Sequence, residues 1–92
     1  MAKSYGHELA LAEDLKKYLN TLQERLNIVQ MQYWNKSNDL SQAGMMEEVY
    51  SKFVQEYVSE TTQKIKDVVS QINERDIPFI ERYIAYLNSL PQ

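Results

Sequence analysis

The residues able to do chemistry are few and badly placed for it. His7 is the only histidine, and Ser4 stands three positions before it. A metal site inside a helical bundle instead draws on Glu-x-x-His pairs from facing helices. With no cysteine anywhere, thiolate metal ligation and disulfides are excluded. Thirteen Asp and Glu residues are spread along the chain. Paired-acid hydrolysis needs one carboxyl held in an apolar pocket, and these acids read as a solvated face. No Gly-rich phosphate loop, nucleophile elbow or Ser-His-Asp set is present. The sequence therefore assigns no catalytic residue, no metal ligand and no cofactor, and an enzyme is not expected.

The aromatic residues carry more information. Seven tyrosines, two phenylalanines and one tryptophan occur in 92 residues. Tyr18, Phe53 and Tyr57 read as core filler. Tyr5, Tyr33, Trp34, Tyr50, Tyr83 and Tyr86 are too many for the inside of two helices. Amphipathic rings are enriched where one protein surface meets another. Met45 and Met46 add adaptable apolar surface beside them. The candidate partner-binding residues are Tyr33, Trp34, Met45, Met46, Tyr50, Tyr83 and Tyr86.

Two long helices must position these residues. Leu11, Leu15, Tyr18, Leu22, Leu26, Val29 and Tyr33 recur at steps of 4, 3, 4, 4, 3 and 4, an eleven-residue rhythm that predicts an amphipathic helix over about 5–36 with this stripe as its buried face. Leu9, Ala12, Leu19 and Met31 widen that stripe. Asn35, Ser37, Asn38 and Asp39 compete with helical backbone bonds and place a turn at about 37–40. Asp39 with Gln42 resembles a capping box for a second helix over about 41–75, with Gly44 in its first turn for close approach to a bulky group. Met46, Val49, Phe53, Tyr57, Ile65, Val69 and Ile72 mark its apolar face. Pro78 removes a donor and disfavours helical geometry at Ile77, and Asp76 is the expected N-cap of a C-terminal helical segment over about 77–90. The apolar phase continues through Ile80, Tyr83, Leu87 and Leu90, which favours a kinked or interrupted second helix over a reversed third one. The fold class is all-α: one domain spanning 1–92, a long antiparallel helical hairpin.

Ninety-two residues lie in the range where one core is marginal. A hairpin buries only one seam, so wide stripes on both helices call for dimerisation into a four-helix bundle with the same or a related chain. A net charge of -3, with ten basic residues scattered among thirteen acids, argues against nucleic acid. No run approaches the length of a membrane span, and the first residues carry no apolar signal core. Cytoplasmic folding is expected, with export lacking a cleaved signal left open.

Two long helices, Trp34 near the turn and Gly44 after it resemble the WXG-type, early-secreted-antigen-like hairpins of type VII secretion. Trp34 corresponds to that family's turn tryptophan and Gly44 to its glycine, although the chain reads Trp34-Asn35-Lys36 in place of Trp-x-Gly. Tyr83 and Tyr86 are followed four residues later by Leu87 and Leu90 where the family's export signature has an acid. The resemblance implies a small substrate of type VII secretion, or an accessory or targeting partner of a larger secreted protein. The alternative is a cytosolic adaptor, chaperone or antidote for one cognate chain.

Overall fold

The computed structural model describes residues 2–91, with side chains from Tyr5 onward. All of its regular structure is helical: α1 (Ala2–Gln42), α2 (Glu47–Lys52), a π-helical turn (Phe53–Val58), α3 (Ser59–Gln71), a second π-helical turn (Ile72–Asp76) and α4 (Ile77–Ser89). From Glu47 to Ser89 these segments join without a break, and Lys52, Ser59, Gln71 and Ile77 at the junctions keep helical dihedrals. The chain is an all-α helical hairpin of two arms. The first helix, expected from about residue 5, already begins at Ala2.

The turn sits later than the polar cluster suggested. Residues 37–40 are helical, and the reversal occupies 43–46. Short polar side chains break helices by capturing local backbone groups, but here they find partners compatible with the helix. Ser37 Oγ donates to the Tyr33 carbonyl one turn back at 2.8 Å, and Asn38 Oδ1 accepts from the Tyr50 hydroxyl at 3.2 Å. What ends α1 is Gly44, at φ 100. Its N–H donates to Ser41 O at 3.2 Å, and Ala43 N–H donates to Asp39 O at 3.0 Å, so the last carbonyls are satisfied. Asp39 and Gln42 thus belong to the end of α1 and open no new helix. Gly44 meets no neighbour within 4 Å, so its use is conformational and close approach plays no part.

Two compact units make up the hairpin, one of Met1–Glu24 with Ser70–Gln92 and one of Arg25–Val69. In the first, Ala12, Ile72, Ile77 and Leu87 are buried, the Tyr83 hydroxyl donates to Glu8 Oε2 at 2.7 Å, and Lys16 pairs with Glu81 at 3.1 Å. In the second, Val58 is fully enclosed and Ser37 is buried. Along α1 the buried and half-buried positions include Tyr5, Leu9, Ala12, Lys16, Leu19, Gln23, Leu26, Gln30, Tyr33 and Ser37. Their steps alternate four and three without error, a heptad seam. From Lys16 on, every second rung is polar, at seven-residue spacing: Lys16, Gln23, Gln30 and Ser37.

The second arm answers with Val54, Val58, Thr62, Ile65, Val69, Ile72, Ile77, Ile80, Ile84 and Leu87. One step in that series, Ile72 to Ile77, is five residues long, and it coincides with the second π-helical turn. Ile77 N–H donates to Ile72 O, five residues back. That register accommodates Pro78, whose missing N–H would leave Glu74 O unpaired in an α-helix. It also keeps isoleucine in the seam where an uninterrupted α-helix would bring Asp76. The expected interruption is therefore a single wide turn. Asp76 is not an N-cap: its dihedrals are helical and its side chain makes no capping bond. The first wide turn is held alike, with Ser59 donating both its N–H and its Oγ (2.9 Å) to Val54 O.

Two glycine substitutions separate conformational need from mere composition. Gly44→Ala should lower stability by about 1–2 kcal/mol, because a Cβ is strained at positive φ. Gly6→Ala, inside α1 with nothing within 4 Å of a new Cβ, should instead raise it by about 0.5 kcal/mol. Urea unfolding followed by circular dichroism reads both signs.

Candidate interaction surfaces

The seam leaves part of the apolar stripe of α1 uncovered, while Leu22 is half-buried and Leu26 and Tyr33 belong to stripe and seam alike. Leu11 is 55% exposed, Leu15 44%, Tyr18 60% and Val29 49%. The expectation that this stripe is the buried face of α1 is corrected: the hairpin buries the neighbouring heptad comb. The physical reason is geometric. Leu11 and Ala12 differ by about 100° around the helix axis, so α1 carries two adjacent faces and one antiparallel partner covers only one of them. In the first unit α4 extends the uncovered face. Phe79 is 62% exposed and Tyr86 57%, with Tyr83 between them.

Grooves mark where the two helices meet along this face. One of about 270 Å³ is lined by Glu8, Leu11, Ala12, Leu15, Ile80 and Tyr83. A second of about 290 Å³ lies against Leu15, Leu19, Asp76, Phe79 and Ile80. Sharing Leu15 and Ile80, they form one continuous surface. The Tyr83–Glu8 hydrogen bond ties the two helices together beside it, as does the Lys16–Glu81 ion pair. The hydrogen bond, then desolvation and the charge of Glu8, hold the Tyr83 hydroxyl above the usual tyrosine range.

The seven residues singled out for partner contact fall into separate places. Tyr83 and Tyr86 belong to the uncovered face just described. Tyr33 is a half-buried rung of the seam, and Tyr50 is half-buried with its hydroxyl on Asn38. Met46 is exposed at the turn, while half-buried Met45 lines a groove of about 430 Å³ with Glu48, Val49, Lys52, Phe53 and Tyr57. Phe53 and Tyr57 are tilted neighbours there, their centroids 6.4 Å apart, within the usual range for aromatic pairs. Trp34 lies inside α1, well before the turn, and lines a different groove with Gln30, Ser59, Thr62, Gln63 and Lys66. Trp34 and the methionines do not share a groove. Leu11, Leu15, Tyr18 and Phe79 are the surface residues that periodicity assigned to the interior or passed over. The unbroken 4-3 alternation from Tyr5 to Ser37 was the signal that reveals the other face, masked because four of its ten rungs are polar.

Among the described residues no group of three His, Cys, Asp or Glu side chains is arranged to hold a metal ion. No described helix is long and apolar enough to cross a membrane. No family model, curated protein or solved structure matches the chain.

Tyrosine titration tests the tether. Below the ordinary pKa of 10.0 the Tyr83 hydroxyl is protonated and the bond to Glu8 intact; its stabilisation is lost as pH rises through the elevated pKa. Tyr83→Phe should remove the most alkaline component from the tyrosinate absorbance titration. An unchanged profile would refute the assignment.

Proposed function

We propose that this chain is a non-enzymatic interaction module. It works by burying the face of Leu11, Leu15 and Tyr18 with Phe79, Tyr83 and Tyr86 against a further helical hairpin, a second copy or a related chain, in a four-helix bundle. The observation that carries this reading is that Leu11, Leu15, Tyr18 and Val29 of the apolar stripe of α1 are left in water while a partly polar comb fills the seam.

Surface area supports it. The chain exposes 7057 Å². A compact monomer of its mass, 10.9 kDa, exposes about 5,600 Å². The excess of about 1,500 Å² matches what each partner contributes to a permanent dimer. The core points the same way, because among the described residues only five apolar side chains are buried. So few leave little to offset the entropy of ordering two long helices.

Type VII secretion, as a substrate or as the targeting partner of a larger secreted protein, is the second reading. The helical-hairpin connectivity favours it. The position of Trp34, nine residues before Ala43, departs from a tryptophan at the bend. Fractionating the culture medium of the native host addresses it: a chain confined to cells would remove the export role and leave the adaptor role.

Sedimentation equilibrium tests the pairing. The wild-type chain, alone or with the chain it co-purifies with, should sediment as a complex. Leu15→Glu should weaken that association by at least about a hundredfold, since a carboxylate would be stranded in an apolar contact. Far-UV circular dichroism checks that the variant stays helical. A wild-type chain that is monomeric at micromolar concentration and has no host partner would sink the proposal.

A further inference from the structure

The Trp34 groove is a second surface, distinct in place and in chemistry from the apolar face. Trp34 follows Val29 by five positions, which puts it about 140° round α1 from the uncovered stripe. The groove has a volume of about 350 Å³, and all six of its lining residues lie within the Arg25–Val69 unit. Unlike the apolar face, it surrounds one half-exposed indole with two amides, two hydroxyls and a single charged group.

That charged group is Lys66. No ion pair is recorded for it among the described residues, where the salt bridges join Lys16 to Glu81 and Lys64 to Glu60. Asp67, the next residue along α3, is engaged by the side-chain amide of Gln63 at 2.9 Å. The Thr62 hydroxyl oxygen is buried and has no hydrogen-bond partner among the described residues. That oxygen lies in the seam beneath the groove, so the polar groups the groove offers to a partner are those of Gln30, Ser59, Gln63 and Lys66.

From these groups we infer that the groove binds an extended acidic segment of a partner protein. A carboxylate pairs with Lys66 Nζ, an apolar or aromatic side chain packs on the Trp34 ring, and backbone groups of the segment meet Gln30, Ser59 and Gln63. Charge complementarity selects an acid, because Lys66 is the only ionised side chain in the lining. The hydroxyl and amide lining selects an extended backbone over a helix, whose own N–H and C=O groups are already satisfied. None of the six lining residues belongs to the apolar face, so the groove and that face use separate side chains.

The chain has one tryptophan, so its emission reports on this groove alone. A phage-displayed decapeptide library is selected on the immobilised full-length chain, and the winning peptides are synthesised and titrated against it. Winners should be enriched in Asp or Glu beside an apolar residue, shift Trp34 emission to shorter wavelength, and bind more weakly as NaCl is raised. Lys66→Gln, at an exposed position, should weaken them about tenfold, as expected for loss of a charge-assisted hydrogen bond. Its sedimentation should match that of wild type. Absence of binders, winners without acids, or winners that tolerate Lys66→Gln but are lost in Leu15→Glu would each overturn the inference. A chain that sediments as a monomer yet binds acidic peptides through Lys66 would leave it standing and remove the pairing reading alone.

Discussion

Everything in this molecule depends on the seam between two antiparallel arms being narrow and partly polar. A helix carries its apolar residues on a stripe, and one neighbouring helix covers about one stripe's width. In α1 the covered comb alternates Tyr5, Ala12, Leu19, Leu26 and Tyr33 with Leu9, Lys16, Gln23, Gln30 and Ser37. Four of the ten rungs are polar and therefore contribute little apolar burial. The Gln23 side-chain oxygen has no partner among the described residues, so that rung costs free energy. A polar column of this sort fixes the register of helix pairing at the expense of stability. The apolar surface that this seam leaves exposed is the link between the fold and the proposed function.

The two π-helical turns are the means by which the second arm stays in phase. An α-helix drifts relative to a heptad seam. An arm of this length with a proline near its end has to correct its phase or leave the seam. The extra residue between Ile72 and Ile77, just before Pro78, carries Ile77, Ile80, Ile84 and Leu87 into the seam. At Phe53–Val58 the same device brings Val58 to full enclosure. Wide turns of this kind are rare and frequently lie at functional sites. Here the first carries Phe53 and Tyr57 to the Met45 groove, and the second leads into the helix that bears Phe79, Tyr83 and Tyr86.

Chemistry follows from the division of faces. The uncovered side of α1 and α4 is aliphatic and aromatic, with the hydrogen bond from Tyr83 to Glu8 and the Lys16–Glu81 ion pair beside it. Such a surface suits a partner helix with an apolar stripe of its own, and it offers nothing to a small polar substrate. The Trp34 groove has the opposite character, one ring among amides, hydroxyls and a lysine. Two surfaces of such unlike composition on one small chain fit an adaptor better than a simple self-pairing rod.

Amino-acid order by itself determined the class, the number of arms and the break near Pro78. Spacings of three and four over some thirty residues admit only helix, and a proline cannot donate. It also brought Tyr83 and Tyr86 forward as surface residues, because two helices have too little interior for so many rings. Three things were decided only by the tertiary structure. The turn moved to 43–46, since Ser37 and Asn38 found partners in the folded chain and only Gly44 accepts a positive φ. The phase shift at Ile72–Asp76 was hidden, since both an α and a π register keep isoleucines near the seam. Above all, the choice between two overlapping stripes of α1 was settled by which comb the second arm meets. Hydrophobicity ranked the stripe of Leu11, Leu15 and Tyr18 first, yet the helical partner took the poorer comb and left the richer one facing water.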